Sequence, residues 1–184
     1  MITLSGVSCS GKSTILKQLA LIGYDPVISY TTRPIRDGEQ EGVDYHYITN
    51  DEFNALKSEG FFAETTEYNI DSNKIWMYGT AKRDLSDNKI AILNPDGLKA
   101  LRSEKGLNIV SFLLIADDVT IWNRLRQRGD DSMEANRRIK ADKEDFSDIN
   151  SYIDFAIRTD NDLLNINDIA NLIDEIYRRI SDNE

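Results

Sequence analysis

The sequence predicts an α/β fold, a doubly wound parallel sheet with helices on both faces, and three observations carry that expectation. Short β-compatible runs alternate with segments of helical periodicity: MITLS (1–5) before 12–21, KIAIL (89–93) before 96–105, and IVSFLLIA (109–116) before 118–128. The run at 109–116 is almost unbroken in apolar residues, as a parallel strand covered on both faces requires. The alternation is interrupted once, over residues 30–85, which reads as a small inserted α+β subdomain between core segments 1–29 and 86–184.

Each element has a local reason. After the first strand comes a glycine-bounded loop, 6–11, and then a helix from Lys12 to Leu21 with Ile15, Leu16, Leu19 and Ala20 at helical spacing. Pro26–Ser29 is expected as a second strand. The stretch SYTTRPIRDGEQEGVDY (29–45) is expected as loop, because Pro34 and Gly38 oppose a regular helix. Tyr45–Ile48 reads as a short strand. Thr49 and Glu52 form a capping-box pattern that opens a helix through Phe53 and Leu56 to a stop at Gly60. FFAETTEY (61–68) and KIWMYG (74–79) read as two strands around a polar turn, NIDS. Beyond the strand at 89–93, a helix over Asp96–Lys105 ends at Gly106. Asp118 caps a helix through Arg128 that Gly129 ends, and a charged helix follows near 134–145. Tyr152–Ile157 is the last expected strand, and Asn167–Ile180 an amphipathic helix with Ile169, Leu172, Ile173, Ile176 and Ile180 on one face.

The chain has 184 residues, enough for one domain with a sizeable core. With 22 basic and 32 acidic residues its net charge is −10, which argues against non-specific binding to nucleic acid or anionic lipid. The single cysteine, Cys9, forbids an intrachain disulfide, and no leader or long apolar run is evident, so a cytoplasmic protein without membrane or nucleic-acid partners is expected.

Residues 6–13, GVSCSGKS, fit G-x-x-x-x-G-K-[ST] between a strand and a helix. This is a phosphate loop, so the doubly wound sheet is expected to be of the P-loop nucleotide-hydrolase type. Gly6 and Gly11 let backbone N–H groups turn inward around a phosphate, and the helix N-terminus adds positive potential. Lys12 is expected to reach the β- and γ-phosphates of a nucleoside triphosphate, and the Ser13 hydroxyl to hold Mg²⁺. Ser8, Cys9, Ser10 and Thr14 complete this triphosphate site, which the resemblance given below makes the ATP site. Cys9 reads as a small residue that fits the loop, with a reactive thiol as the alternative.

A second anion site is written into 29–45. Arg33 and Arg36 lie three apart among hydroxyls and glycines, and guanidinium forks match phosphate oxygens bidentately. Pairing with Glu39, Glu41 or Asp44 is the alternative use for them. The phosphate loop, the S-Y-T-T-R-P-I-R-D-G-E-Q-E-G-V-D-Y segment, F-F-A-E and M-Y-G-T together resemble the guanylate kinases, in order, over residues 2–164. The resemblance implies a nucleoside monophosphate kinase that moves the γ-phosphoryl of ATP onto GMP or dGMP. It implies that Ser29, Arg33, Arg36, Tyr45 and Tyr78 hold the acceptor phosphate within the 30–85 subdomain. Glu64 would face the N1–H and 2-amino donors of guanine and Thr80 its O6, with Glu67 as the alternative to Glu64. It also makes 128–138 a short helical lid, with Arg128 and Arg138 closing on the transferring phosphoryl beside Lys12 and Arg36, and Arg124 near the adenine. Arg137 is the alternative to Arg138.

The sequence departs from the family at ILNPDG (92–97), where the usual pattern is Asp-x-Asp-x-x-Gly. The first aspartate becomes Ile92 and the second, which helps read the guanine amino group, becomes Asn94. Asn94 can still accept through its carbonyl, and Asp96 is the nearest substitute for the lost carboxylate. The stretch between Glu64 and Tyr78 is also longer than the family's, with the excess expected at the hairpin tip, 69–74. Two further readings stay open: a kinase with altered base specificity, and a catalytically weak binding module.

Overall fold

In the computed structural model, residues 1–71, 74–103, 106–129, 132–160 and 164–182 are described, with the side chains at 71, 132, 134 and 138 left outside the description. Five strands form an all-parallel sheet: β1 (Ile2–Ser5), β2 (Asp25–Pro26), β7 (Lys89–Ile92), β8 (Val110–Ile115) and β9 (Phe155–Arg158), in the order β2-β7-β1-β8-β9. β1 is central, with Ile2 in register with both Ile90 and Val110.

Strand alternation divides the core into two layers. Ile2, Leu4, Ile90 and Phe112 pack with Ile15 and Leu19 of α1 (Lys12–Leu21) and with Ile169 and Ile173 of α6 (Ile166–Ser181). Met1, Ala91 and Leu93 point the other way, onto Leu98 and Leu101 of α3 (Pro95–Arg102). Both faces of the sheet are therefore covered, as the apolar run at 109–116 leads one to expect.

Residues 30–81 build a second sheet, ordered β4-β3-β6-β5, from β3 (Tyr30–Thr31), β4 (His46–Tyr47), β5 (Phe62–Asp71) and β6 (Lys74–Ala81). It carries α2 (Asn50–Ser58), whose capping box is complete: Glu52 N–H donates to the Thr49 hydroxyl, and Thr49 N–H to the Glu52 carboxylate. Phe53 of α2 stacks on Phe62 with centroids 4.6 Å apart. A Cβ at Gly79 would come within 2.8 Å of the Phe62 ring, so the aromatic layer requires glycine there. The register shift between Phe62 and Glu64 brings Glu64 opposite Thr80.

Several boundaries differ from expectation. β2 is Asp25–Pro26, not 26–29. Tyr30 and Thr31, within the expected loop, pair with β4 and β6. Asn69–Asp71 of the expected NIDS turn continue β5, because cross-strand partners Ile75 and Lys74 are available to them. α3 begins at Pro95, with Asn94 as its N-cap, and ends at Arg102. β9 begins at Phe155. α4 (Asp118–Arg128) is capped by Asp117, not Asp118, and closes on Gly129 in the left-handed region (φ 77°). α5 starts at Ser132 and runs to Asp145. No helix among the described residues is long and apolar enough to cross a membrane.

Candidate functional site

A cleft of about 1010 Å³ lies between the C-terminal ends of the parallel strands and the second sheet. Its wall joins Gly6, Ser8, Cys9, Gly11, Lys12, Ser13 and Thr14 of the phosphate loop to Ser29, Arg33, Arg36, Tyr45, Glu64, Tyr78 and Asn94, and to Arg124, Arg128 and Arg137. Residues from every stretch singled out in the sequence thus meet in one cavity.

The phosphate loop leaves the central strand β1. At Gly6 (φ 150°) a Cβ would lie 2.5 Å from the Leu114 carbonyl oxygen and 2.6 Å from Ser10 Oγ, so only glycine lets the chain turn there. Lys12 Nζ donates to the Gly6 and Val7 carbonyls at 2.6 and 2.9 Å. Burial of the ammonium lowers its pKa from 10.5 to about 8, against the opposing pull of Asp142, while part of the residue's surface stays exposed. Ser13 and Thr14 are exposed at the start of α1. Ser10, expected in the ATP site, stands back: its N–H donates to the Val7 carbonyl, and its hydroxyl is buried with no partner among the described residues. The Ser8 N–H donates to Asp142 Oδ2 at 2.5 Å, so a carboxylate of α5 sits where the loop would receive an anion.

Arg33 is 3% exposed and paired bidentately with Glu39 at 2.8 and 3.0 Å, one of the alternative partners for the basic stretch. Burial alone would raise the Glu39 pKa. Hydrogen bonds from the Arg33 guanidinium, the Arg36 N–H and the Tyr47 hydroxyl more than offset it, to about 2. The Arg33 guanidinium also lies over the Tyr45 ring, 5.4 Å from its centroid, and Tyr45 meets Tyr78 edge-on. Arg33, Arg36, Tyr45 and Tyr78 are thus gathered into one corner, with Glu39 as a built-in counter-ion. Ser29 Oγ lies 3.4 Å from Thr80 Oγ1.

At the opposite end of this corner, the Thr80 hydroxyl donates to Glu64 Oε1 at 2.5 Å. Glu64 is 9% exposed, and burial raises its pKa although Thr80 opposes the shift. Thr80 itself is fully buried behind Glu64, not on the cleft wall. Glu67, the alternative to Glu64, points elsewhere and pairs with Lys57 at 2.9 Å. Asn94 caps α3 by accepting from Gly97 N–H at 2.8 Å, and its amide donates to Thr66 Oγ1 and the Tyr68 hydroxyl at 3.0 and 2.8 Å. Ile92 lines the cleft where the family pattern has a carboxylate. Asp96 does not replace it: it lies outside the cleft wall, largely exposed and 3.7 Å from Lys99.

Arg124 is turned to the loop's backbone. Its guanidinium donates to the Cys9 carbonyl (3.0 Å) and to the Thr159 hydroxyl and carbonyl (3.2 and 2.7 Å), and the Thr159 hydroxyl donates to the Ser10 carbonyl at 2.7 Å. Arg128 and Arg137 reach the cleft wall from α4 and α5. The Arg138 side chain lies outside the described residues. α4 and α5 are held on the loop by Ile121, Leu125 and Ala135 packed with Val7 and Cys9. Sequence reasoning missed Asp142, Thr159, Thr66 and Tyr68. The first two act through long-range contacts that no local pattern marks, whereas alternation along β5 places Thr66 and Tyr68 on the face of Glu64.

The guanylate kinase family profile matches residues 1–178. The chain is 31% identical over 171 residues to the guanylate kinase of Rhodopseudomonas palustris, covering 88% of this chain and 75% of that protein. It is 30% identical to the guanylate kinase of Streptococcus agalactiae, covering 100% of this chain and 86% of that protein. The crystal structure of guanylate kinase from Anaplasma phagocytophilum has the same fold, with a TM-score of 0.69 at 24% identity over 97% of this chain and 84% of that one.

Proposed function

Since the chain belongs to the guanylate kinase family, we propose that it transfers the γ-phosphoryl group of ATP to GMP or dGMP, giving ADP and GDP or dGDP. The observation that carries this reading is the continuity of one cleft from Lys12 and Ser13 to Arg33, Arg36, Tyr45, Tyr78 and Glu64. Two anionic substrates have to approach end to end, and cations along the whole path are what such a transfer needs.

Lys12 and the loop amides take the ATP phosphates, with Arg124 and Thr159 holding the loop in shape. Arg33, Arg36, Tyr45, Tyr78 and Ser29 take the acceptor phosphate, within a monophosphate-binding unit spanning 30–85. Glu64 accepts from the two guanine donors, and the buried Thr80 hydroxyl holds its Oε1 from behind. An adenine edge lacks both donors and would leave a buried carboxylate unpaired. Arg128 and Arg137 or Arg138 spread the charge of the transferring group, and a lid over 128–138 excludes water.

The Ser13 hydroxyl on the cleft wall is a hard oxygen donor of the kind Mg²⁺ takes alongside nucleotide phosphates, so the residues present fit the ion. No cluster of three or more acidic, histidine or cysteine side chains suited to a metal occurs among the described residues, which leaves the nucleotide to supply most of the ligands. When bound, the ion offsets charge between the phosphates. We place the protein in the cytoplasm, acting on free nucleotides, with neither membrane nor nucleic acid as partner.

The test is ADP release from ATP and Mg²⁺ with GMP, dGMP, AMP, IMP, CMP, UMP and dTMP. Turnover confined to GMP and dGMP, lost by about 10²-fold or more in Lys12→Ala, is the expected result. Unchanged turnover in Lys12→Ala overturns the assignment. Silence in a folded protein that binds GMP would favour the binding-module reading, which Ile92 at the carboxylate position motivates.

A further inference from the structure

We propose that Tyr68, and not Asn94, reads the purine beside Glu64, donating its hydroxyl proton to N3 of the base; this rests on the guanine reading above.

Asn94 has little left to offer a ligand. A carboxamide has two N–H donors and two carbonyl lone pairs. Its oxygen must face α3, because the Gly97 N–H it accepts from can only donate, and this fixes the orientation of the amide. Thr66 Oγ1 lies 3.3 Å from the same oxygen and donates to it. Both amide protons go to Thr66 Oγ1 and the Tyr68 hydroxyl. Asn94 is therefore spent on α3 and β5.

Tyr68 is left in the opposite condition. Its oxygen accepts from Asn94, and its O–H has no acceptor among the described residues, although the side chain is half-buried and lines the cleft. Burial, foremost, raises its pKa, so it keeps its proton at neutral pH. A carboxylate at position 94 would take that proton. The amide reverses the direction of the bond and frees the donor for a ligand.

The order of groups about Glu64 identifies the ligand atom. Thr80 lies on the Oε1 side of Glu64. On the Oε2 side, a Cβ placed on Gly97 would be 3.1 Å from Glu64 Oε2 and 2.9 Å from Asn94 Oδ1, so the carboxylate abuts the Asn94 cap and Tyr68 follows it. Guanine presents O6, N1–H, the 2-amino group and N3 in sequence along one edge. With the carboxylate on the two middle donors and Tyr68 edge-on to Tyr78 of the phosphate corner, the sugar-side atom of that edge, N3, an acceptor, meets Tyr68.

Kinetics with GMP and with 3-deazaguanosine monophosphate, in which N3 is a C–H, test the proposal on the unaltered protein first. GMP is expected to be preferred about three- to tenfold in kcat/KM, the scale of one neutral hydrogen bond. Tyr68→Phe should erase that preference, raising KM for GMP more than it lowers kcat, at an unchanged melting temperature. Asn94→Asp should erase most of it too, by recapturing the tyrosine proton. Equal use of both nucleotides by the unaltered protein, or a preference that survives Tyr68→Phe, overturns the proposal while leaving the kinase reading intact. Tighter GMP binding in Asn94→Asp, to the same extent with and without Tyr68→Phe, would return base reading to position 94 and overturn it as well. A protein that neither binds nor phosphorylates GMP overturns both readings together.

Discussion

Lys12 shows how one buried charge ties ligand binding to protons. Held near 8 by burial, it is partly neutral just above pH 8 in the ligand-free protein. An incoming phosphate favours the ammonium and raises the pKa, so the complex takes up a proton. Calorimetry of ATP binding at about pH 8.5, in buffers of different ionisation enthalpy, should therefore report net uptake that shrinks toward neutral pH and disappears in Lys12→Ala. The stability sign follows from the same shift. The unfolded lysine keeps its proton up to 10.5 and the folded one releases it near 8, so the unfolded state binds more protons between those values. The destabilisation from burying Lys12 is full below about 8 and is relieved as the pH rises through that window.

At the scale of elements, α5 does more than carry arginines. By packing on Val7 and Cys9 it delivers the Asp142 carboxylate to the Ser8 N–H, where it competes with any phosphate for the same donor. Asp142→Asn is expected to tighten ATP binding about three- to twentyfold, since the hydrogen bond it weakens is to a charged group. Equilibrium binding with a fluorescent ATP analogue checks this, and weaker binding would mean that Asp142 helps the nucleotide instead of opposing it. Nothing in the local sequence marks Asp142, whereas Thr49 and Glu52 announce their capping box in four residues. Legibility followed the range of the interaction. The phosphate loop, the capping box and the apolar strands are local patterns and could be read directly. Asn94 was visible as a departure from the family, but its use as an N-cap bonded to Thr66 and Tyr68 depends on β5 lying against α3. Tyr30 and Thr31 look like loop until β4 and β6 offer them partners. The family supplied the meaning of Arg33, since a buried bidentate pair with Glu39 is equally what a purely structural arginine makes.

For the whole molecule, the parallel sheet is closed on the α3 side by Arg102. Its guanidinium bonds the Tyr152 carbonyl at 3.0 Å, Ser111 Oγ at 2.7 Å and Asp154 Oδ2 at 2.5 Å, joining α3 to β8 and the approach to β9. Asp154 also accepts from the Ser111 N–H, so removing the arginine leaves a partly buried carboxylate with fewer donors. Arg102→Ala should cost about 2 kcal/mol, lowering the melting temperature by about 4–8 °C in a scanning experiment, with the nucleotide site untouched.

The phosphate loop also contains Cys9, the one thiol in the chain, in the left-handed region at φ 60° and on the cleft wall. A chain with a single sulfhydryl can be tagged at one atom without engineering, and here that residue lies within electrostatic reach of the Lys12 ammonium. Maleimide capture followed by intact mass should therefore act as an occupancy gauge. A single adduct should form slowly on the ligand-free protein and more slowly still under saturating ATP, so that the protected fraction, plotted against nucleotide concentration, yields a dissociation constant from untreated protein in a mixture.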